Sequence, residues 1–175
     1  AVLEPDEGEM ACGEYGPGRL PEPEAILAAI RDQLGGESGR LAGRHIVVTA
    51  GPTHEPIDPV RVISNRSSGK QGFALAEALA GLGARVTLVA GPVALATPAG
   101  VERIDVETAR EMDQAVRAAL PADAAILVAA VADWRVEPAP AKLKKAEGPP
   151  KLDWKPNPDI LAGLAESERR PRLLV

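Results

Sequence analysis

TAGPTHEPIDPVRVISNRSSGKQG, residues 49–72, connects a short apolar strand predicted at 46–50 to an Ala-rich helix predicted at 72–82. The order strand, loop, helix N-terminus recurs in phosphate sites, because the free N–H groups of the first helical turn and the positive end of the helix dipole attract an anion. Glycines let the backbone approach an oxygen closely, hydroxyls donate hydrogen bonds, and a lysine adds a positive charge. The residues that we expect to bind phosphate are Ser67, Ser68, Gly69, Lys70 and Gly72.

Two familiar nucleotide-binding motifs do not fit these residues. A Walker A loop requires Ser or Thr after its lysine, whereas Gln71 follows Lys70. No G-x-G-x-x-G dinucleotide fingerprint follows the strand. The alternative interpretation is a solvated connection whose serines only cap the helix. The length of the connection argues against that alternative, since loops in compact domains have a median of about 4–6 residues and much longer ones are usually functional or disordered.

Strands and helices alternate regularly from residue 45 onward. Apolar strands that alternate with amphipathic helices predict an α/β, Rossmann-like three-layer fold with a mainly parallel sheet, whose ligands bind at the carboxyl ends of the strands. Because 172–175 resembles the opening of another strand, we expect a fold truncated at its C-terminus and a chain that lacks sequence on both sides. The predicted strands are 46–50, 85–90, 101–106, 125–131 and 172–175, and the predicted helices are 72–82, 109–120 and 158–166.

Two of these helices carry recognisable start signals. Thr108 and Glu111 form a capping box before the second helix. Asn157 followed by Pro158 predicts an N-cap with proline at the first helical position of the third helix.

The composition argues against several classes of function. The 175 residues carry a formal net charge of −5 without a basic stripe, which argues against a nucleic-acid partner. No apolar run approaches the roughly 20 residues of a membrane span. No signal peptide is recognisable, and the single cysteine, Cys12, cannot form an internal disulfide. We therefore expect a cytoplasmic protein with no membrane association.

The first 43 residues differ from the rest of the chain. Residues 1–22 place glycines and a proline around Cys12, a composition typical of a mobile loop. Cys12 is equally well interpreted as a partly buried small hydrophobe or as a functional thiol. A helix with one apolar face is predicted to begin at Pro23, and the Gly-rich segment 35–43 is a predicted linker. The chain is therefore divided into 1–34, the linker 35–43 and a domain at 44–175.

Lysines are concentrated in the segment 133–155, which we call the flap. Five of the six lysines lie in the flap, and the sixth is Lys70. A positive flap that faces a phosphate-binding turn is typical of a lid over a polyanion. A solvated flap without specific contacts is the alternative, and it is preferred for Lys151 and Lys155. No structural role is evident from the sequence for Asn65 in the first loop.

These segments resemble phosphopantothenate–cysteine ligase, also called phosphopantothenoylcysteine synthetase, of coenzyme A biosynthesis. The resemblance is carried by Ala50–Gly72, by AAVADW at 129–134, by KLKK at 142–145 and by NPDIL at 157–161. ACGEYGPGRLPEP at 11–23 is similar to the end of the flavin-dependent phosphopantothenoylcysteine decarboxylase, which in bacteria is fused in front of the ligase. The resemblance thus assigns 1–34 to a decarboxylase remnant and 44–175 to an incomplete ligase domain.

The resemblance implies a two-step reaction that consumes CTP. The carboxylate of 4'-phosphopantothenate attacks the α-phosphate to give an acyl-cytidylate and pyrophosphate, and the amine of L-cysteine then displaces CMP. By the resemblance, Lys142 stabilises charge at the transferring phosphate, Asn65 and Arg61 face the acyl group, and Asp133 contacts the nucleotide directly or through Mg²⁺. The other residues expected at the nucleotide are Gly51, Ala130, Lys144, Lys145, Asn157, Pro158, Asp159 and Ile160.

The resemblance also implies properties of the parent protein. Cys12 is expected to be the proton donor of the decarboxylase, which uses FMN, and we expect no decarboxylation from this chain alone. The ligase domain is expected to form a homodimer, and the bifunctional protein a higher oligomer.

Two rival functions remain open at this stage. A generic Rossmann-like nucleotide-binding oxidoreductase is weakened by the missing glycine fingerprint and by Ala90-Gly91-Pro92, which stands where an acidic residue would bind the ribose. A non-catalytic interaction module predicts no stabilisation by nucleotide. The residues alone do not establish CTP over ATP.

Overall fold

A computed structural model describes residues 6–9, 15–19, 39–144, 148 and 150–175. The chain divides into two compact units, Ala1–Gly39 and Arg40–Val175. The helix predicted from Pro23 and the proton donor predicted at Cys12 lie outside the described residues. The assignment of 1–34 to a decarboxylase and of 35–43 to a linker stays a prediction.

The first unit contains a β-hairpin. Strand β1 (Asp6–Glu9) pairs antiparallel with β2 (Tyr15–Arg19), with a register irregularity between Asp6 and Glu7. The prediction of a loop around Cys12 is therefore wrong for Tyr15–Arg19, which form a strand. Glycine and proline disfavour strands locally, but pairing with a second strand supplies the backbone hydrogen bonds that composition does not reveal.

The second unit is built on a five-stranded parallel sheet. Its elements are β3 (His45–Ala50), β4 (His54–Pro56), β5 (Val62–Ser64), α1 (Lys70–Gly81), β6 (Arg85–Ala90), β7 (Val101–Asp105), α2 (Ala109–Ala118), β8 (Ala124–Leu127), β9 (Trp134–Arg135), β10 (Lys155–Pro156), α3 (Ile160–Ala165) and β11 (Leu173–Leu174). The strand order of the sheet is β11-β8-β3-β6-β7, and every pair is parallel. Because the order runs outward from β3 in both directions, this is the doubly wound, Rossmann-like arrangement. The predicted fold class is confirmed.

Helices cover both faces of this sheet. Successive side chains of a strand point to opposite faces, so β3 presents Val48 to one side and Val47 to the other. Phe73 of α1 packs in the cluster that contains Val48. Met112 of α2 and Leu164 of α3 pack in the cluster that contains Val47. The result is three layers with α1 on one face and α2 and α3 on the other.

Most element boundaries agree with the prediction, and the exceptions lie near the carboxyl edge of the sheet. The strand predicted at 125–131 ends at Leu127. Beyond it the backbone turns toward the loop after β3, where the Ala130 N–H donates to the Gly51 carbonyl at 2.8 Å and Ala130 forms an isolated bridge with Pro52. Helix α1 begins at Lys70, two residues before the predicted start.

The start of α3 also differs from the prediction. Asp159 is the N-cap, and its side chain accepts a hydrogen bond from the Ala162 N–H at 2.9 Å. The prediction that Asn157 caps this helix is therefore wrong. The capping box of Thr108 and Glu111 before α2 is confirmed.

Two short antiparallel ribbons stand outside the main sheet. Strands β4 and β5 pair within the connection 49–72, and β9 pairs with β10 at the base of the flap. Over the described ranges, none of the helices has the length and apolar character needed to cross a membrane.

Candidate functional site

The N-terminus of α1 has the geometry of an anion-binding turn. Gly69 is the N-cap, with φ at 72°, and none of the described side chains caps the helix. The Ser67 hydroxyl accepts instead from the Gly69 N–H at 3.4 Å, so the alternative in which the serines cap the helix is wrong. Within the part of the chain that the structure describes, the N–H groups at 70–72 donate to no acceptor. Three backbone donors, with the exposed Ser68 beside them, are therefore available to an anion.

Close packing explains why this turn is rich in glycine. A Cβ at Gly72 would lie 2.6 Å from the Ala50 Cβ and 3.0 Å from the Thr49 carbonyl oxygen, so α1 can approach β3 only with glycine here. Gly69 stands against Gly51, and both have positive φ, at 72° and 81°. These predicted site glycines are therefore required by the backbone arrangement itself.

A cleft opens where the strand order reverses, between β3 and β8. Ligands of doubly wound sheets bind at such switch points. The cleft has a volume of about 350 Å³, and Thr49, Leu127 and Ala129 belong to its lining. The structure brings together here five predicted site residues, which are Asp133, Asn157, Pro158, Asp159 and Ile160.

Asn157 holds the outer wall of the cleft in place. Its side-chain amide donates to the Ala132 carbonyl at 2.8 Å, and its backbone N–H donates to the Asp133 carbonyl at 2.8 Å. The segment that begins α3 is thereby tied to the loop after β8. Asp133 itself is exposed, and Ile160 is buried in the core beneath the cleft.

Asn65 links the two loops at the carboxyl edge of the sheet. Its side-chain amide donates to the Val131 carbonyl at 2.9 Å and lies 3.4 Å from the Ala130 carbonyl. This contact gives Asn65 the structural role that the sequence left without explanation. Its predicted contact with the acyl group stays a prediction.

Two buried threonines make a second link between the same loops. The Thr49 hydroxyl accepts from the Ala129 N–H at 3.2 Å, and the Thr53 hydroxyl accepts from the Ala132 N–H at 2.9 Å. Sequence reasoning did not select either residue. The only local signal was one hydroxyl side chain near the end of the apolar strand, Thr49, and another in the loop after it, Thr53.

Glu55 was also not selected from the sequence. Its buried carboxylate accepts from the Ala109 N–H at 2.9 Å, at the start of α2. A negative charge at a helix N-terminus is stabilised by the helix dipole. Glu55 therefore fixes the connection 49–72 to α2.

Asp58 joins the connection 49–72 to the flap. Its buried carboxylate accepts from the Val60 N–H and from Nε of Arg61, each at 2.9 Å, and from the Leu143 N–H at 3.1 Å. Arg61 Nη2 contacts the same carboxylate and donates to the Leu143 carbonyl at 2.9 Å. The Arg61 guanidinium, and after it the backbone N–H groups, hold the pKa of Asp58 well below its usual range. Arg61 is thus engaged with Asp58 and the flap, and its predicted contact with substrate stays a prediction.

The lysines of the flap divide into two groups. Lys142 and Lys144 are exposed, and over the described ranges neither forms an ion pair. Lys155 lies 3.9 Å from Glu137 and 3.8 Å from Asp153, both exposed, as expected for a solvated ion-pair group. Lys145 lies outside the described residues.

The lowered pKa of Asp58 predicts a dependence of stability on pH. A carboxylate whose folded pKa lies below its unfolded value of about 3.9 stabilises the fold above that value, and this contribution is lost progressively as pH falls from the unfolded pKa to the folded pKa. The difference in unfolding free energy between the wild type and Asp58→Asn should therefore be smaller at pH 3 than at pH 7. Urea denaturation at both pH values measures it, and an equal difference would contradict the expectation.

The comparison with known proteins agrees with this geometry. A family model described as the DNA/pantothenate metabolism flavoprotein C-terminal domain matches residues 41–175. The coenzyme A biosynthesis bifunctional protein CoaBC of Vibrio parahaemolyticus is 51% identical over 172 residues, which are 95% of this chain and 43% of that protein. The protein of the same name from Bacillus subtilis is 46% identical over 176 residues, 98% of this chain and 43% of the relative. The chain thus spans less than half the length of these curated relatives.

A solved structure supports the same assignment. The crystal structure of the C-terminal domain of a coenzyme A biosynthesis bifunctional protein CoaBC aligns with a TM-score of 0.67 at 41% identity, over 78% of this chain and 65% of that one. The residues that the family model matches, 41–175, include the turn at α1, the cleft between β3 and β8, and the described part of the flap. The chain therefore belongs to the family of the DNA/pantothenate metabolism flavoprotein C-terminal domain.

Proposed function

We propose that this chain forms the nucleotide-binding part of a phosphopantothenate–cysteine ligase, which uses CTP to join 4'-phosphopantothenate to L-cysteine in coenzyme A biosynthesis. One juxtaposition supports this most: the anion-binding turn of α1 and the cleft between β3 and β8 lie at the same carboxyl edge of the sheet. A triphosphate could occupy the turn while the nucleoside occupies the cleft. The names of the relatives at 46–51% identity point to the same pathway.

The proposed reaction has two steps. A carboxylate oxygen of 4'-phosphopantothenate attacks the α-phosphorus of CTP, the bond to the β-phosphate breaks, and pyrophosphate leaves. The amine of L-cysteine then attacks the acyl carbon, loses a proton, and displaces CMP to form the amide of 4'-phosphopantothenoylcysteine. Both steps depend on positioning and on stabilising negative charge, which a preorganised polar site provides.

Residues of this chain would position the substrates and stabilise the negative charge. The N–H groups at the start of α1, with Lys70, would hold the triphosphate oxygens. Lys142 would stabilise charge on the transferring phosphate, and Asn65, at the junction of the two loops, would face the acyl carbonyl. Asn157 and its neighbours in the cleft wall would hold the nucleoside.

A magnesium ion would fit this arrangement only together with the nucleotide. Over the described ranges, no group of three or more His, Cys, Asp or Glu side chains could hold a metal ion. Mg²⁺ commonly binds through one or two carboxylates together with substrate phosphates. Asp133, exposed at the cleft, is the carboxylate that would join the phosphates around the ion and help to neutralise them.

Two further properties of the whole protein belong to the proposal. The ligase part would act as a homodimer, which light scattering of the purified protein would test. The FMN-dependent decarboxylase of the whole protein would use Cys12 as a proton donor.

The release of pyrophosphate tests the proposed function directly. The full-length protein is mixed with 4'-phosphopantothenate and CTP in the absence of cysteine, with ATP in a parallel reaction. We expect release with CTP and much less with ATP. If neither nucleotide gives pyrophosphate, the ligase proposal is wrong, and binding of NADH would then favour the oxidoreductase.

Replacing Asn65 with aspartate should slow the second half-reaction. The substitution exchanges the amide donor for a carboxylate 2.9 Å from the Val131 carbonyl and removes a donor that could bind the acyl oxygen. We expect acyl-cytidylate to accumulate in a quenched reaction analysed by mass spectrometry. Normal overall turnover without this intermediate would rule out the role.

A further inference from the structure

We propose that Asp58 is a positioning residue of the ligase reaction, because it fixes the lysine-bearing part of the flap at the carboxyl edge of the sheet. The inference rests on the proposed function, since it concerns Lys142, which is assigned there to the transferring phosphate. Asp58 itself touches no substrate in this proposal. It acts through the backbone of Leu143, which lies 85 residues away in the sequence.

The contacts of Asp58 are of two kinds. The Val60 and Arg61 N–H groups both donate to Oδ1 at 2.9 Å, and these bonds shape the turn 57–61 itself. The other oxygen, Oδ2, accepts from the Arg61 side chain and from the Leu143 N–H. The Asp58 side chain is fully shielded from solvent, so these hydrogen bonds form away from competing water.

Leu143 is held at both of its backbone polar atoms. Its N–H donates to Asp58, and its carbonyl accepts from Arg61 at 2.9 Å. Consecutive Cα atoms are about 3.8 Å apart, so fixing this one residue confines the Cα atoms of Lys142 and Lys144 to its immediate surroundings. The side chains of both lysines remain exposed and available to an anion.

A second contact holds the flap to the same turn. The Ala139 N–H donates to the Ile57 carbonyl at 2.9 Å. The turn 57–61 is therefore hydrogen-bonded to the flap at two residues, Ala139 and Leu143, which are four residues apart. A free flap would lose conformational entropy each time its lysines met a triphosphate, and a flap already attached avoids part of that cost.

The negative charge of Asp58 strengthens its hydrogen bonds to Leu143 and Arg61. Hydrogen bonds to an ionised group are roughly twice as strong as neutral ones. Because the Arg61 guanidinium neutralises the carboxylate, Asp58 does not draw the flap lysines toward itself. The amide NH2 of an asparagine would face either the Val60 and Arg61 N–H groups or the Arg61 side chain and the Leu143 N–H, and only an acceptor fits at either place.

The full-length protein with Asp58→Asn tests the inference. We expect kcat for pyrophosphate release to fall by about 10-fold or more, because small misplacements of a catalytic group are costly, while the KM for CTP changes less. Amide hydrogen exchange measured at Leu143 should accelerate in the same variant. This second readout does not depend on the reaction, so it tests the attachment even if the ligase proposal fails.

Asp123→Asn is the matched control. Asp123 also accepts from a backbone N–H, that of His45 at 2.9 Å, and from an arginine, Arg44 at 2.8 Å, but at the amino end of β3. We expect it to lower stability while kcat and the exchange of Leu143 stay unchanged.

Two results would overturn the inference. One is unchanged exchange at Leu143 in Asp58→Asn, and the other is an equal loss of kcat in Asp123→Asn at a temperature where both are folded. If Asp58→Asn does not fold, Leu143→Pro removes the N–H donor and leaves the Asp58–Arg61 pair intact. A folded Leu143→Pro protein with normal kcat would then reject the role of Asp58.

Discussion

Replacing Lys142 with glutamine should lower pyrophosphate release by about 100-fold or more while the free energy of unfolding changes by less than about 0.5 kcal/mol. Lys142 is exposed, and over the described ranges it forms no ion pair, so its replacement breaks no ion pair within these ranges. Its backbone is confined by the attachment of Leu143 to Asp58 and Arg61. A lysine whose backbone is confined and whose ammonium forms no ion pair with the described residues is suited to stabilising charge on a ligand that arrives later.

Lys151→Gln is the matched control for this experiment. Lys151 is a second exposed lysine of the same flap, and no role in the reaction is assigned to it. Both variants lose one positive charge, so a general electrostatic effect on CTP binding would lower both rates alike. Steady-state rates at saturating CTP distinguish a specific role of Lys142 in the reaction from a general electrostatic effect on CTP binding. An ordinary rate in Lys142→Gln, or equal losses in the two variants, would refute the assigned role.

Replacing Gly91 with alanine should destabilise the protein by about 3 kcal/mol or more. A Cβ at Gly91 would lie 1.7 Å from the Pro52 carbonyl oxygen, which is a backbone atom and cannot rotate away. Pro52 is paired with Ala130, so moving it would also disturb the loop after β8. We therefore expect that CTP raises the free energy of unfolding less in this variant than in the wild type, in addition to the loss of stability without CTP.

Gly81→Ala provides the comparison for Gly91→Ala. Gly81 ends α1, and a Cβ there meets no atom of the described residues within 4 Å. Alanine restricts the unfolded chain more than glycine does, so this variant should be as stable as the wild type or more stable by up to about 1 kcal/mol. Urea denaturation of both variants gives the two values. A Gly91→Ala protein as stable as Gly81→Ala would show that the contact with Pro52 relaxes easily.

The layout of the fold was predictable because its signals are local. An apolar run such as Val86–Ala90 predicts a buried strand, and Thr108 with Glu111 predicts a helix start, from neighbouring residues alone. The prediction that Asn157 caps α3 failed because the deciding contact is not local. Its side chain is occupied by the Ala132 carbonyl, and the cap falls to Asp159. A contact across 25 residues overrode a local preference.

The position of the turn at the start of α1 was also predictable, because glycine, serine and lysine lie next to each other in the chain. Its binding of an anion stays a prediction. Thr53 and Glu55 were not predicted, because each accepts a hydrogen bond from a backbone N–H group that lies far away in the sequence. Nothing in a single sequence distinguishes such a buried polar side chain from a solvated one.

The sequence by itself therefore determined the parallel α/β layers and the tight glycine-rich turn at the start of α1, because hydrophobic periodicity and turn chemistry act over a few residues. Only the tertiary structure decided how the loops meet. Asn65 reaches Val131 across 66 residues, and Asp58 reaches Leu143 across 85. These pairings exist only once β3 and β8 lie side by side, since the packing of the sheet brings their loops within hydrogen-bonding distance.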